Sequence, residues 1–468
     1  DPDRIAAILC EGMTEMGLKP GGRVLLKPNA VIAHPEIFPH AFTRKEFLDG
    51  ALAATRACAQ EDADIAVGER SGITIPTRWA FRNAGYPSVI KKHGAKTIYF
   101  DEQRNVPVRI DAPGRLRDQL FVPEAVASSD FLINLPKFKA HPWCRLTLSL
   151  KNFIGIQDDR HRLVDHNLFL EQKIADLQSV VQPKFIAVDA ITAGQKMMLT
   201  PTPFNMGVIL MGNNSCAVDT VGCHIVNVQP GDLTHLKYAS QRGFGPMDID
   251  QIDIDGDITV SELQERNRDF EFCLVRIDDY FGPETNLRCT VGKFPEKHSP
   301  DYCWGGCPGA LQESMHNFRG FNPDVDRHLG KIHYVVGQVE GPLDLEPDER
   351  VIFTGDCTCW EGKIDGQAVK IDSCYRSADQ VDEARTRPYD MISKIGRAIT
   401  HAALNSRSRW IRIKGCPVSV AEHVHYFSSL GRIDNPLFDS KLLMPVAIEY
   451  AKMHFGRLYN HWIPGSGV

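Results

Sequence analysis

The chain has 468 residues, 43% hydrophobic and 24% charged, with a formal net charge of -6. That length exceeds what one hydrophobic core usually fills, so two domains are expected, and the acidic balance gives no general attraction to nucleic acid or anionic membrane. The longest apolar runs, such as Phe185 to Val188 and Val208 to Met211, are strand-sized and far below the roughly twenty residues that span a bilayer, so no membrane segment is expected.

In chain order, the pattern predicts a helix over 3–17, a strand over 23–29 ending in Lys27-Pro28-Asn29, a helix over 44–60 and a strand over 65–69. Further strands are expected at 97–100, 131–135, 184–189 and 208–211. Strands alternating with helices predict an α/β layered domain with a largely parallel sheet, whose ligands collect at the carboxyl ends of the strands. After Asp219 come a helix carrying Val221, Cys223 and Val226, a helical stretch over 232–242 and a closing strand over 248–255. Near Asn286 the character changes, because Cys, Gly and Pro become dense. The expected division is 1–282 and 283–468, the second a smaller α/β or α+β domain rich in cysteine. Its predicted strands lie at 332–337, 350–354 and 410–414, followed by a helix-like stretch over 418–427. A last helix starts near Asn435-Pro436, is interrupted or restarted at Pro445, and docks on its own domain or on a second subunit.

Thirteen cysteines, an odd number spread over a long chain, do not form the pattern of a secreted disulfide framework. No leader pattern of basic, apolar and small residues opens the sequence, and a cytoplasmic location is expected. Four cysteines sit in turn-like settings: Cys303 and Cys307 in Tyr-Cys-Trp-Gly-Gly-Cys-Pro-Gly, Cys357 in Thr-Gly-Asp-Cys and Cys416 in Lys-Gly-Cys-Pro. Four thiolates hold a 4Fe-4S cluster, and neighbouring Gly and Pro let the backbone wrap around it. Zinc takes four thiolates too, usually from two tight pairs; here two of the ligands stand alone, which favours the cluster. Cys359 and Cys374 are spare candidates. Cys10, Cys58, Cys144, Cys216, Cys223, Cys273 and Cys289 are expected to be ordinary small hydrophobes.

A second group of residues falls at predicted strand ends: Lys27 and Asn29, Lys137, Lys139 and His141, then Lys151 and Asn152. Repeated lysines in such places suggest a cleft for carboxylate or phosphate. His141, Lys139 and Lys151 are the candidates for proton transfer; Lys27, Asn29, Lys137, Asn152, Asp189 and Asp219 are the candidates for binding substrate. The run Asp158-Asp159-Arg160-His161-Arg162, with Asp165 and His166, could hold a metal or be a solvated loop. No GxGxxG after a strand and no Walker A are present, so a nicotinamide, flavin or ATP site has no motif to support it.

Leu-Lys-Pro-Asn at 26–29, Asn-Leu-Pro-Lys-Phe-Lys-Ala-His at 134–141, Ser-Leu-Lys-Asn-Phe-Ile-Gly at 149–155, Val-Asp-Ala at 188–190 and Ala-Val-Asp-Thr-Val-Gly at 217–222 resemble the family of domain of unknown function 362 (DUF362). The resemblance covers about residues 3–256. It implies an α/β fold and a frequent association with 4Fe-4S clusters, and it implies no particular reaction. The CxxCxxCxxxCP segment of many members is absent, and the cysteines from 303 to 416 stand in its place. The expectation is therefore an iron-sulfur oxidoreductase for a small anionic substrate, with a ferredoxin-like electron donor and a homodimeric state. The alternatives are a cluster- or metal-dependent lyase or isomerase without net redox change, and an electron-carrier or binding module.

Overall fold

The computed structural model describes residues 1–72, 75–157, 162, 169–272, 275–295, 303, 306–375, 400–401, 403–405, 407–433 and 440–462. The chain divides into two compact units, Asp1–Phe272 with Met444–Val468, and Cys273–Leu443.

The first unit is built on a sheet of strands β1 (Arg23–Pro28), β2 (Asp64–Glu69), β3 (Lys96–Tyr99), β6 (Phe131–Leu135), β7 (Lys137–His141), β8 (Arg145–Thr147) and β9 (Phe185–Gln195), ordered β3-β2-β1-β6-β9-β7-β8. Pairing is parallel from β3 through to β7, while β8, β10 (Thr202–Phe204) and β11 (Val208–Gly212) pair antiparallel. A separate hairpin joins β4 (Asn105–Arg109) and β5 (Gln119–Pro123). The sheet is covered on both faces, and its central strands accordingly read as continuous apolar runs.

Helices α1 (Pro2–Glu15) and α2 (Lys45–Cys58) lie together on one face. In α1 the Asp1 carboxylate accepts from the Asp3 N–H at 3.0 Å and Pro2 suits the first turn, while Ile5, Leu9 and Met13 recur at helical spacing and are buried. Gly50 lets the two helices approach, since a Cβ there would stand 2.6 Å from Ile5 Cγ2.

The segment 134–141, expected as one strand and a turn, is two strands, with Pro136 at the corner between β6 and β7. The closing strand expected at 248–255 is not formed. Asp248 Oδ1 accepts from the Asp250 N–H at 3.1 Å and caps a short 3-10 turn, Ile249–Gln251; this local bond wins over the alternating pattern.

In the second unit β12 (Leu287–Val291), β13 (Ile332–Gln338), β14 (Arg350–Ile364) and β16 (Trp410–Ile413) form a parallel sheet, with β15 (Gln367–Ile371) antiparallel to the far end of β14. Its helices include Cys307–Phe321 and Val420–Gly431, and it has its own core around Leu311, Tyr334, Ile352 and Phe427. Residues 283–468 thus do not form one continuous unit. The last helix, Ser440–Trp462, runs through Pro445 without interruption, and from Met444 onward it belongs to the first unit. Arg82 Nη1 meets Glu449 Oε1 at 2.9 Å, and Asn460 Nδ2 donates to the Glu102 carbonyl at 2.9 Å. Among the described residues no helix is long and apolar enough to cross a membrane.

Candidate functional site

In the first unit the carboxyl ends of β1 and β2, the strand β7 and the short helix α3 (Ser149–Asn152) surround a pocket with about 60 Å³ of space. Asn29, Glu69, Arg70, Lys139, His141, Thr147, Lys151, Asn152 and Arg162 line it. A pocket this small admits a carboxylate or phosphate group and excludes a drug-sized molecule.

Its floor is a chain of amides. Asn29 Nδ2 donates to Asn152 Oδ1 at 3.1 Å, Asn152 Nδ2 to Asn134 Oδ1 at 2.7 Å, and Asn134 Nδ2 to Ser149 Oγ at 2.9 Å. Each amide orients the next, which leaves Asn29 Oδ1 buried at the pocket with no hydrogen-bond partner among the described residues. Asp219 fixes α3 from behind, accepting from Ser149 N at 2.7 Å and Leu150 N at 3.1 Å. Burial pushes Asp219 up to about 8, against those two bonds.

Lys151 stands on α3 and is 9% exposed. Among the described residues it has no carboxylate within ion-pair distance. Burial holds its ammonium below the ordinary lysine range, opposed by Cys144 and Glu171 and assisted by the nearby Arg162 charge. His141 Nδ1 accepts from the Trp143 and Cys144 N–H groups at 3.0 and 3.3 Å. The ring proton of neutral His141 is therefore on Nε2, which makes the side chain a donor. Lys139 Nζ donates to the carbonyls of Ala41 and Met198 at 2.8 and 3.0 Å.

Lys27, Lys137, Asp189 and Asp219, expected to touch substrate, do not line the pocket. Lys27 Nζ meets Glu69 Oε2 at 2.6 Å and Lys137 Nζ meets Asp189 Oδ2 at 2.9 Å, all four side chains being buried. Burial lowers Lys27 and raises Glu69, each shift opposed by the partner's charge. Asp189 also accepts from the Arg44 N–H at 3.0 Å, so it ties the start of α2 to the sheet. Gly155 is packed against the Lys27 pair: a Cβ would lie 2.2 Å from Glu69 Oε1. Glu69, Arg70 and Thr147 have no role in the sequence reading, and Arg162 enters it only as part of the run 158–166. Glu69 ends β2 and Arg70 follows it, just as Lys27 stands near the end of β1, the same signal of charge at a strand end. Of the run 158–166 Arg162 is described, and its acidic and histidine residues lie outside the described residues.

In the second unit three separate segments bring cysteines to Cys307, the first residue of its helix. The Cys307 thiol is pushed up by burial first, then by the Cys357 charge, and further by Cys416 and Cys303; the Val418 N–H, donating to its Sγ at 3.3 Å, opposes the shift. Glycines permit the approach. A Cβ on Gly306 would stand 2.4 Å from Cys303 Sγ, and one on Gly355 would stand 3.0 Å from Cys307 Sγ. Gly355 and Gly415, at φ of 100° and 153°, where an L side chain would be strained, precede Cys357 and Cys416; Cys357 lies within strand β14 and not in the turn expected from sequence, because the strand continues past Gly355. The two segments are joined, Asp356 N donating to Gly415 O at 2.9 Å and Gly415 N to Asp356 Oδ1 at 2.8 Å.

The spare candidates stand beside these segments: the Cys359 charge acts on Cys357, and Cys374 bonds the Asp356 carboxylate that also takes the Gly415 N–H. Cys359 has Asp372, Arg412 and Glu340 as its charged neighbours. Cys374 is exposed and its Sγ–H donates to Asp356 Oδ1 at 3.4 Å. Among the described residues no three His, Cys, Asp or Glu side chains are grouped tightly enough to clasp one metal ion.

Residues 24–224 match the family described as domain of unknown function (DUF362). The DUF362 match contains the whole described pocket wall from Asn29 to Lys151 and Arg162, and it ends before the cysteines of the second unit. The chain is 24% identical over 248 residues to the thylakoid-associated protein sll1697 of Synechocystis sp., covering 51% of this chain and 74% of that protein. Among solved structures it is similar to the lactate racemase apoprotein from Thermoanaerobacterium thermosaccharolyticum, at 9% identity and a TM-score of 0.33, over 72% of this chain and 67% of that one.

Proposed function

We propose that this protein is an iron-sulfur oxidoreductase that holds a 4Fe-4S cluster through Cys303, Cys307, Cys357 and Cys416 and acts on a small anionic substrate bound in the first unit. The observation that carries the reading is the gathering of Cys303, Cys357 and Cys416 around Cys307, with glycines against the sulfurs. Mutually repelling thiolates in a buried place fit a cationic inorganic core. Zinc also takes four thiolates but usually from two tight pairs, whereas Cys357 and Cys416 each stand alone in the sequence, which supports the cluster over zinc.

A bound cluster supplies single-electron transfer. The Val418 N–H on Cys307 Sγ stabilises the thiolate form of that ligand. In the pocket, Lys151 balances the substrate's negative charge, His141 donates from Nε2 to a substrate oxygen, and Asn29 Oδ1 accepts from a substrate hydroxyl or amine. A ferredoxin-like protein is the proposed electron donor.

Protein purified without oxygen is expected to contain about four iron and four acid-labile sulfide per chain and to develop a paramagnetic signal on dithionite reduction. Serine at 303, 307, 357 or 416 is expected to abolish both, and serine at 359 or 374 to leave both intact. Zinc in place of iron, or iron retained by all four variants, defeats the reading. Three essential cysteines instead of four would turn it into a lyase with an open iron position.

A further inference from the structure

Two cysteines of the first unit, apart from the proposed cluster ligands, face each other across the α1–α2 contact. Cys10 lies in the third turn of α1 and Cys58 is the last residue of α2, forty-eight positions later. Their sulfurs are 2.6 Å apart. Unbonded heavy atoms rest at about 3.5–4.0 Å, and a disulfide bond is about 2.0 Å long, so the backbone already holds this pair close to bonding distance. The close approach follows from the helix packing, with Gly50 against Ile5 bringing the two axes together. Both cysteines are half-buried, within reach of a small reagent.

We propose that Cys10 and Cys58 form a redox-reversible disulfide that fastens α1 to α2. The oxidant is a low-molecular-weight disulfide of the glutathione class. One cysteine thiolate attacks it, releasing one thiol and leaving a mixed disulfide; the second cysteine then attacks the protein sulfur and releases the second thiol. Two cysteine S–H bonds are lost, one S–S bond forms, and the two electrons and two protons leave as two small thiols. In the reduced state burial, with the hydrogen bond and charge of Cys10, pushes the Cys58 thiol up to about 12. The bridge closes a loop that contains β1, Asn29 and Thr43, the segment behind the pocket wall.

The test uses the full chain, reduced and then exposed without oxygen to glutathione disulfide, alkylated, digested without reductant and mapped by mass spectrometry. The expected result is a cross-linked peptide joining Cys10 to Cys58, lost on adding dithiothreitol, with a thermal midpoint about 5 °C above that of the reduced protein. Cys10→Ser and Cys58→Ser should each abolish the cross-link and the rise. Recovery of Cys10 and Cys58 as separately alkylated or glutathione-bearing peptides, with no cross-link, overturns the proposal. The wild-type map decides this even if a variant fails to fold.

Discussion

The lysines of the first unit look alike in sequence and have different fates. Lys27 and Lys137 are matched to Glu69 and Asp189, so their charge is satisfied internally. Breaking such a pair from one side leaves a buried charge and typically costs about 3–5 kcal/mol. Lys151 reaches the pocket with no carboxylate within ion-pair distance among the described residues, whereas Lys139, which also lines it, donates to the Ala41 and Met198 carbonyls. Charged hydrogen bonds contribute about 1.5–3 kcal/mol, so Lys151→Ala should weaken binding of a small anion about 10- to 100-fold. Titration calorimetry with inorganic phosphate and with acetate checks this; equal affinity in the two proteins would remove Lys151 from the site. Anion binding requires the ammonium form, and burial places its deprotonation below the ordinary lysine range. Affinity should therefore fall as pH rises, earlier than an exposed lysine would dictate, and the fall should be absent from the variant. The sequence could mark charge at strand ends, but not which lysines find carboxylates, since Glu69 and Asp189 are 42 and 52 positions from their partners.

At the scale of elements, strands were read correctly where apolar runs were bounded by turns. The reading failed where a side chain competed with the backbone, as Asp248 does, and where Pro136 split one motif into β6 and β7. In the second unit Glu349, just before β14, ties three parallel strands. It accepts from Arg288 Nε of β12 at 2.8 Å, stands 3.4 Å from His333 Nδ1 of β13, and takes the Glu346 N–H at 2.9 Å. Burial alone would raise its carboxyl, but the hydrogen bonds from His333 and Arg288 outweigh that and hold it at about 2. A depressed carboxylate stabilises the fold above its unfolded value, near 4.5, and that stability is lost as pH falls from there towards 2. Wild type should therefore exceed Glu349→Gln in urea midpoint at pH 6, with the gap closing between pH 4.5 and 2. A gap that stays constant with pH would show that Glu349 does not act through its charge.

For the whole molecule, the two units have separate cores, and the cysteines gathered around Cys307 belong to the second. Binding of an inorganic core by a folded site contributes to folding free energy. On the proposed cluster reading, stripping iron with a chelator should therefore lower the thermal transition of the second unit and leave that of the first within about 2 °C, which differential scanning calorimetry on holo and stripped protein resolves. Equal lowering of both transitions would show that the units do not unfold independently.

The alternation of apolar runs with helical spacing determined the α/β class, because periodicity is a property of neighbouring residues. The turn-forming glycines and prolines beside Cys303, Cys307, Cys357 and Cys416 marked those residues for the same local reason. Tertiary structure alone decided which charges cancel, that the last helix from Met444 belongs to the first unit, that His141 carries its proton on Nε2, and that Cys10 meets Cys58. Each of these depends on atoms brought together from distant parts of the chain or on the path of the backbone in space, and sequence spacing carries neither.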